Sequence, residues 1–287
     1  MISQNEVHAL IALLDDEDVE VAENVSERLL YWGEEALPLL EQELFNMDQT
    51  QYEKIDELIR KIRLQTLLKS FETWKSTEEP SLLDGILLLN KIGYPDMDAE
   101  NVLQQLRELK LKVWLELHYD LTSFEKVKII NHILFTVFEL KPNTDFYHHP
   151  DNSYLNMVLM RKTGNPITLS IIYMIIAEML EIPVKGINVP QHFMLAYVDG
   201  SETLREDTDV LFYINAFNNG AIYSHEHVRQ YINSLGLQPG EEFLEPCTNI
   251  EIIKRCCRNL IYSYELIHNK ERVLELNAVL SLLSNEY

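Results

Sequence analysis

The stretch from Tyr147 to Tyr197 constrains the fold of this chain more than any other part of it. Within it, Asn165 and Pro166 open a long apolar run. Asparagine caps free backbone amides, and proline is favoured at the first helical position, where its missing N–H costs nothing. The apolar run ends near Glu181, and after Lys185 the pattern changes to short runs rich in β-branched and aromatic residues, as is typical of strands. The stretch therefore predicts a capped apolar helix that leads into a pair of strands, with His192 at the start of the second strand.

Helical periodicity dominates the rest of the chain. Amphipathic patterns precede this stretch and return from Thr248 onwards, and glycine is scarce, with nine in 287 residues. The strand signature begins only after Lys185, and Asn219-Gly220 is a strong signal for a hairpin turn. The sequence thus predicts an α+β fold that is mostly helical, with a small antiparallel sheet packed on the central helix and helical-repeat flanks.

The patterns divide the chain into three predicted segments. Residues 1–77 contain an amphipathic helix pair with an acidic, N-capping break at residues 15–18 and an end at Gly33, an arrangement that resembles a HEAT repeat. Residues 78–245 form the predicted core. Residues 246–287 form a predicted helical hairpin that is similar to one tetratricopeptide unit.

The charge and the length of the apolar runs exclude several classes of partner, and the cysteines and the N-terminus indicate the cellular compartment. The formal net charge is −22, whereas nucleic acid and anionic membrane surfaces both require positive charge on the protein. The longest apolar run, Leu169 to Leu180, is too short to span a bilayer. The cysteines form a poor disulfide framework, and the N-terminus lacks the basic region of a signal peptide. We therefore expect an acidic cytoplasmic protein that binds neither nucleic acid nor membrane.

The start of the central helix is the candidate site. In cysteine enzymes a nucleophile belongs at such a helix start, because the macrodipole and the free amides stabilise a thiolate. His192 could face this point as a base, and Asn215 on the following strand could orient its imidazole. Thr168 and Ser170 lie in the first turns of the helix as possible hydroxyl nucleophiles. Either is also explained as a small polar residue that bonds back to a helix carbonyl.

This layout resembles the transglutaminase-like superfamily, and in particular its SirB branch of bacterial proteins, whose members often pair such a core with tetratricopeptide-like helices. Three runs carry the resemblance: Asn152 to Tyr173, Ile182 to Tyr197, and Tyr213 to Gly220. It extends from about Pro80 to the C-terminus and leaves the N-terminal repeat outside. The resemblance implies a papain-like α+β core.

The resemblance also implies a site that has lost its nucleophile. The superfamily's Gly-x-Cys at the helix start corresponds to Gly164-Asn165-Pro166, its histidine to His192, and its aspartate to Asn215. Asparagine can still hold a histidine, as it does in papain-like enzymes, but proline has no side chain that attacks a carbonyl. No cysteine lies in this segment, so a shift of the alignment by a residue or two does not restore the usual chemistry.

Three hypotheses follow. The leading one is a non-catalytic transglutaminase-like protein, a pseudoenzyme that acts as a binding or scaffold module for a protein or peptide, because helical-repeat surfaces usually bind such partners. The alternative is a hydrolase or acyltransferase that uses Ser170 or Thr168 with His192 and Asn215. The third is an anion- or peptide-binding pocket at the helix N-terminus. Its predicted ligand-binding residues are Asn165, Thr168, His192 and Asn215.

The remaining histidines and cysteines favour no metal or cofactor. His148-His149 and the run from His225 to His227 lack a second matching cluster, and we interpret both as exposed loop residues. Cys256 and Cys257 are expected to be buried structural thiols. The sequence leaves the ligand, the partner, the pathway and the oligomeric state open.

Overall fold

The computed structural model describes residues 3–14, 18–44, 49–198, 210–238, 240 and 243–285, apart from the side chain of Thr50. These residues divide into two compact units, Met1–Thr73 and Trp74–Tyr287. The division of the second unit at residue 245 stays a prediction.

The described part of the first unit contains helices and no strand. It contains α1 (Gln4–Leu13), α2 (Val19–Trp32), α3 (Leu37–Glu43) and most of α4 (Gln49–Lys75). The Asp18 side chain caps α2 by accepting a backbone N–H, and Gly33 ends it with a φ of 59°. Residues 15–17 of the predicted acidic break lie outside the described residues. Val7, Leu29 and Leu40 are fully buried in the interior of this unit.

The second unit is built around one buried helix. Its helices are α5 (Leu82–Gly93), α6 (Ala99–Glu116), α7 (Ser123–Asn131), α8 (Leu155–Arg161), α9 (Pro166–Glu178), α10 (His225–Ser234), α11 (Asn249–Leu266) and α12 (Lys270–Ser284). A π-helical turn, His132–Val137, continues α7. Every residue from Pro166 to Ala177 is buried, as expected for a helix that is apolar on all sides. The helices α5, α6, α8 and α11 all contact α9.

The sheets are small. The strands β3 (Val184–Ile187), β4 (Met194–Val198), β5 (Val210–Asn215) and β6 (Ala221–Tyr223) form one antiparallel sheet in the order β3-β4-β5-β6. Two short strands, β1 (Lys141–Pro142) and β2 (Thr163–Gly164), pair in parallel just before α9. The predicted turn at Asn219-Gly220 joins β5 to β6. Both β3 and β4 contact α9, and the predicted α+β fold class is therefore confirmed.

The two C-terminal helices, α11 and α12, pack on each other and on α5, within the same unit as α9. Across the described parts of the chain, no helix combines the length and the apolar character that crossing a membrane requires.

Candidate functional site

The start of α9 is a closed network of hydrogen bonds. The Asn165 Oδ1 atom accepts the backbone N–H of Thr168 at 3.0 Å and its hydroxyl at 3.1 Å. Asn165 Nδ2 donates to the Ser153 hydroxyl at 2.8 Å. Asn165 is only 6% exposed. The side chain predicted to cap the helix thus does so with both ends of its amide occupied.

The two hydroxyls considered as nucleophiles both donate within this network. Ser170 Oγ donates to the Pro166 carbonyl at 2.8 Å, one turn earlier in the helix. Thr168 Oγ1 donates to Asn165. Both side chains are fully buried. A hydroxyl acts as a nucleophile when a base accepts its proton, and here the acceptors are a carbonyl and an amide oxygen.

Asn152 holds the loop that precedes the helix start. Its Nδ2 atom donates to the carbonyls of Phe146 at 2.7 Å and Tyr147 at 3.0 Å, and its Oδ1 accepts from Asn143 Nδ2 at 2.9 Å. Its own carbonyl accepts the Asn165 N–H at 3.3 Å. Asn152 is fully buried, so it fixes Tyr147 relative to the beginning of α9.

His192 lies beside Asn215, as the sequence predicted. Burial lowers the pKa of the His192 imidazole below its ordinary value of 6.5, and the nearby Arg255 lowers it further, while a hydrogen bond with Asn215 opposes both. The His192 Nε2 atom is buried and has no hydrogen-bond partner among the described residues. Its ring lies against Phe217, with centroids 6.5 Å apart, and against Tyr231 at 6.4 Å. The imidazole is therefore neutral near pH 7, and the nitrogen that would serve as a base is hidden from solvent.

A row of edge-to-face rings runs from His192 to α11. We call it the aromatic surface, and its members are Tyr147, His148, His192, Phe217, Tyr231 and Tyr262. The rings of Tyr262, His148 and Tyr147 follow one another with centroids 4.9 Å apart, and Tyr147 lies 5.9 Å from Phe217. Tyr262 is 49% exposed and Tyr147 is 39% exposed, so the row is open to solvent at this end.

A cavity of about 120 Å³ opens beside the aromatic surface. It is lined by Tyr147, His148, Asn165, Asn259, Tyr262 and Ser263. The cavity thus joins the cap of α9 to one face of α11. Sequence reasoning missed these lining residues, except for Asn165, because the rings come from segments far apart in the chain. The only local signal was the pair Tyr147-His148 shortly before the predicted helix.

Arg255 is a half-buried cation near His192 and Tyr147. It donates to the Val189 carbonyl at 3.2 Å and to the Asn188 side chain, and its guanidinium lies 5.5 Å from the Phe193 ring centroid. Burial lowers the pKa of Arg255 from its ordinary value. Its positive charge opposes the rise in the pKa of Tyr147 that burial causes. The hydrogen bonds of the guanidinium therefore hold the turn before His192 in place. Its positive charge favours the neutral form of the imidazole.

We assign structural roles to Cys247, Cys257 and His225. Burial raises the pKa of Cys257 to about 12 and that of Cys247 to about 11, which keeps both thiols protonated. His225 was interpreted as a loop residue, but it begins α10, and its ring contacts the Val210 carbonyl at 2.8 Å and the Tyr213 hydroxyl at 3.2 Å. Among the described residues, no three His, Cys, Asp or Glu side chains form a group that could hold a metal ion.

Comparisons with known proteins cover more than half of the chain. A family model described as the transglutaminase-like superfamily matches residues 100–258. The chain is 28% identical over 233 residues to a UPF0162 protein of Xylella fastidiosa (strain 9a5c), a match that covers 77% of this chain and 79% of the relative. A UPF0162 protein of Vibrio cholerae serotype O1 is 23% identical over 144 residues, which are 50% of this chain and 51% of that protein.

A eukaryotic relative matches a shorter stretch. The chain is 36% identical over 91 residues to F-box only protein 21 of Mus musculus. That stretch is 32% of this chain and only 14% of the relative, so the chain spans a small part of that protein. No solved structure matches the chain.

Proposed function

The chain belongs to the transglutaminase-like superfamily, and we propose that within it the chain acts as a non-catalytic binding or scaffold module. The observation that carries this proposal is the closed start of α9. Pro166 corresponds to the nucleophile of the superfamily, it is buried, and its carbonyl accepts the Ser170 hydroxyl. Finer assignments go with the proposal: membership of the SirB branch, a HEAT-like repeat in α1 to α4, a tetratricopeptide-like hairpin in α11 and α12, and a cytoplasmic location.

The alternative, a hydrolase or acyltransferase, finds no support in these contacts. It requires the Ser170 or Thr168 hydroxyl within about 2.6–3.2 Å of the His192 ring. Both hydroxyls instead donate to acceptors at the helix start, and His192 Nε2 is covered. Catalysis would require the hydroxyl and the His192 Nε2 atom to leave these surroundings together.

The aromatic surface is the proposed binding site, and a peptide is the proposed ligand. Tyrosine and histidine rings offer a large apolar area with polar edges, which is the composition favoured at peptide and protein interfaces. The cavity of about 120 Å³ beside Tyr262 has room for one side chain. The net charge of −22 favours a basic peptide, because charge complementarity accelerates and orients encounter. A basic side chain over these rings would gain a cation–π contact.

Two measurements test the proposal. A panel of amide and ester substrates should show no turnover with the intact chain, and turnover that disappears in His192→Ala would contradict the non-catalytic assignment.

An array of basic peptides should yield binders whose affinity falls about tenfold or more in Tyr262→Ala, as expected for an aromatic residue at the centre of an interface. Tyr119→Ala is the matched control, because Tyr119 is 94% exposed and lies outside the aromatic surface. Equal losses in the two variants would place the binding elsewhere.

A further inference from the structure

A second, larger cavity lies at another place in the same unit. Its volume is about 640 Å³, and it opens between α7 with its π-helical continuation, the strand β1, and the turn between β5 and β6. Its described lining includes Lys128, Asn131, Phe135, Lys141, Pro142 and Asn219. It shares no described lining residue with the aromatic surface or with the cavity beside it. This volume falls within the range of small-molecule sites.

The charge of the cavity is opposite to that of the chain. Acidic residues outnumber basic ones by 46 to 24 in the whole sequence. Among the described residues that line this cavity, two are lysines and none is acidic. In a chain with such an excess of negative charge, anions are repelled at long range and are held only where cations are concentrated.

Neither lysine is held in a buried ion pair. Lys141 Nζ lies 3.6 Å from the Glu139 carboxylate, but both side chains are 61% exposed, so this pair contributes little. Lys128 Nζ lies 4.4 Å from the centroid of the Phe124 ring. The neighbouring Glu125 carboxylate accepts the Thr122 hydroxyl and backbone N–H in the cap of α7. These bonds, and less strongly the charge of Lys128, lower the pKa of Glu125, and Glu125 is fully exposed, so its attraction to Lys128 is weak. Both ammonium groups can therefore turn toward an anion in the cavity.

The walls of the cavity are fixed by contacts within the fold. Asn131 Nδ2 donates to the Gly220 carbonyl at 2.8 Å, which ties the end of α7 to the turn that carries Asn219. Gly220 has a φ of 74°, and a Cβ atom there would lie 2.0 Å from Asn131 Oδ1, so only glycine fits. The Phe135 ring stacks on Tyr173 of α9 with centroids 6.4 Å apart. Because these walls are already fixed, the ordering cost of binding falls mainly on the two lysine side chains.

We propose that this cavity binds a small organic anion, with its phosphate or carboxylate group at Lys128 and Lys141 and an apolar body against Phe135 and Pro142. A bare inorganic ion would leave most of the 640 Å³ unfilled, and it would gain nothing from the phenyl and pyrrolidine rings. The anionic group and the apolar body thus both contribute to recognition. The site is separate from the proposed peptide site, so either proposal can fail without the other.

The test uses phenyl phosphate, benzoate, inorganic phosphate and benzyl alcohol as probes of the full chain at low salt. We expect phenyl phosphate or benzoate to bind with a Kd on the order of 1 mM or tighter, and inorganic phosphate and benzyl alcohol to bind more weakly. Comparison of the two aromatic anions distinguishes a phosphate from a carboxylate preference. Chemical-shift changes in nuclear magnetic resonance spectra would report both the affinity and the place of binding.

The double variant Lys128→Gln with Lys141→Gln should weaken the binding of the aromatic anion about tenfold or more, because it removes two charge-assisted hydrogen bonds. Lys185→Gln, an exposed lysine of β3 in the same unit, is the matched control and should leave the affinity unchanged. Circular dichroism would establish that the variants keep their fold. The proposal is overturned if neither aromatic anion binds, or if the double variant and the control bind the anion equally well.

Discussion

The two sides of the candidate site both contain buried polar atoms, but they differ in whether those atoms have hydrogen-bond partners. At the start of α9, the side-chain polar atoms of Asn165, Thr168 and Ser170 all have hydrogen-bond partners. On the other side, the Nε2 atom of His192 is equally hidden and has no partner among the described residues. The first arrangement stabilises the fold, whereas a buried polar atom without a partner costs about 1–3 kcal/mol.

This difference distinguishes the structural role of the helix start from the binding role that we propose for the His192 side. The helix start, where a cysteine enzyme would keep its nucleophile, is used here to cap and anchor α9. His192 lies against the Phe217 and Tyr231 rings of the proposed binding site, so a ligand that moves those rings also changes the surroundings of Nε2. We therefore expect ligand binding to reorganise the histidine side and to leave the helix start unchanged.

The largest effect should come from breaking the network at the helix start. Asn165→Ala removes the cap of α9 and leaves the buried Ser153 and Thr168 hydroxyls without their partner, so the free energy of unfolding should fall by about 2–3 kcal/mol. Urea denaturation followed by circular dichroism measures this loss. Ser224→Ala, which removes the exposed cap of α10, is the control and should cost about 1 kcal/mol or less. Equal losses in the two variants would show that the network is no more than an ordinary cap.

A smaller loss is expected when a thiol is placed at the helix start. Pro166→Cys should lower the free energy of unfolding by about 1 kcal/mol or less, because proline restricts the unfolded chain. The new thiol should resist alkylation by iodoacetamide in the native protein and react once urea unfolds it, since buried thiols are inert. Mass-spectrometric mapping of the alkylated peptide distinguishes it from Cys247, Cys256 and Cys257. Rapid native alkylation would mean that the helix start is open and activates a thiolate.

The smallest effect is expected for His192→Gln, as a shallower pH dependence of the free energy of unfolding. The pKa of His192 is below 6.5 in the folded chain, so below about pH 6.5 the unfolded state binds the proton more readily. The contribution of His192 to stability is therefore full above its unfolded pKa and declines as the pH falls toward the folded pKa. His192→Gln should lose stability less steeply than the parent chain between about pH 7 and pH 5. Parallel curves for the two proteins would show that His192 titrates in the same way folded and unfolded.

Local signals in the sequence predicted the frame of the site. The Asn165-Pro166 start of α9 and the hairpin turn at Asn219-Gly220 follow from short-range patterns, and the structure contains both. The pairing of His192 with Asn215 came instead from the order of the predicted strands and from the family resemblance. Capping and turn formation depend on a few adjacent residues, so such signals are readable.

Long-range packing was beyond the reach of the same reasoning. The aromatic surface brings Tyr147 next to Phe217, and His148 next to Tyr262 of α11, and no periodicity in the sequence records those contacts. The lysines of the larger cavity likewise come from α7 and β1, which are separated in the chain by the π-helical turn. The partner of each hydroxyl was also undetermined, because side-chain direction depends on tertiary packing.

The most direct test of the closed helix start is covalent labelling with a serine-directed fluorophosphonate, read by mass spectrometry of the intact native chain and its peptides. We predict no adduct at Ser170 or Thr168, since both hydroxyls are buried and donate within the helix start. Ser170→Ala and His192→Ala are the controls that assign any label. A stoichiometric adduct at Ser170 or Thr168 that disappears in His192→Ala would contradict the account and establish a working nucleophile and base.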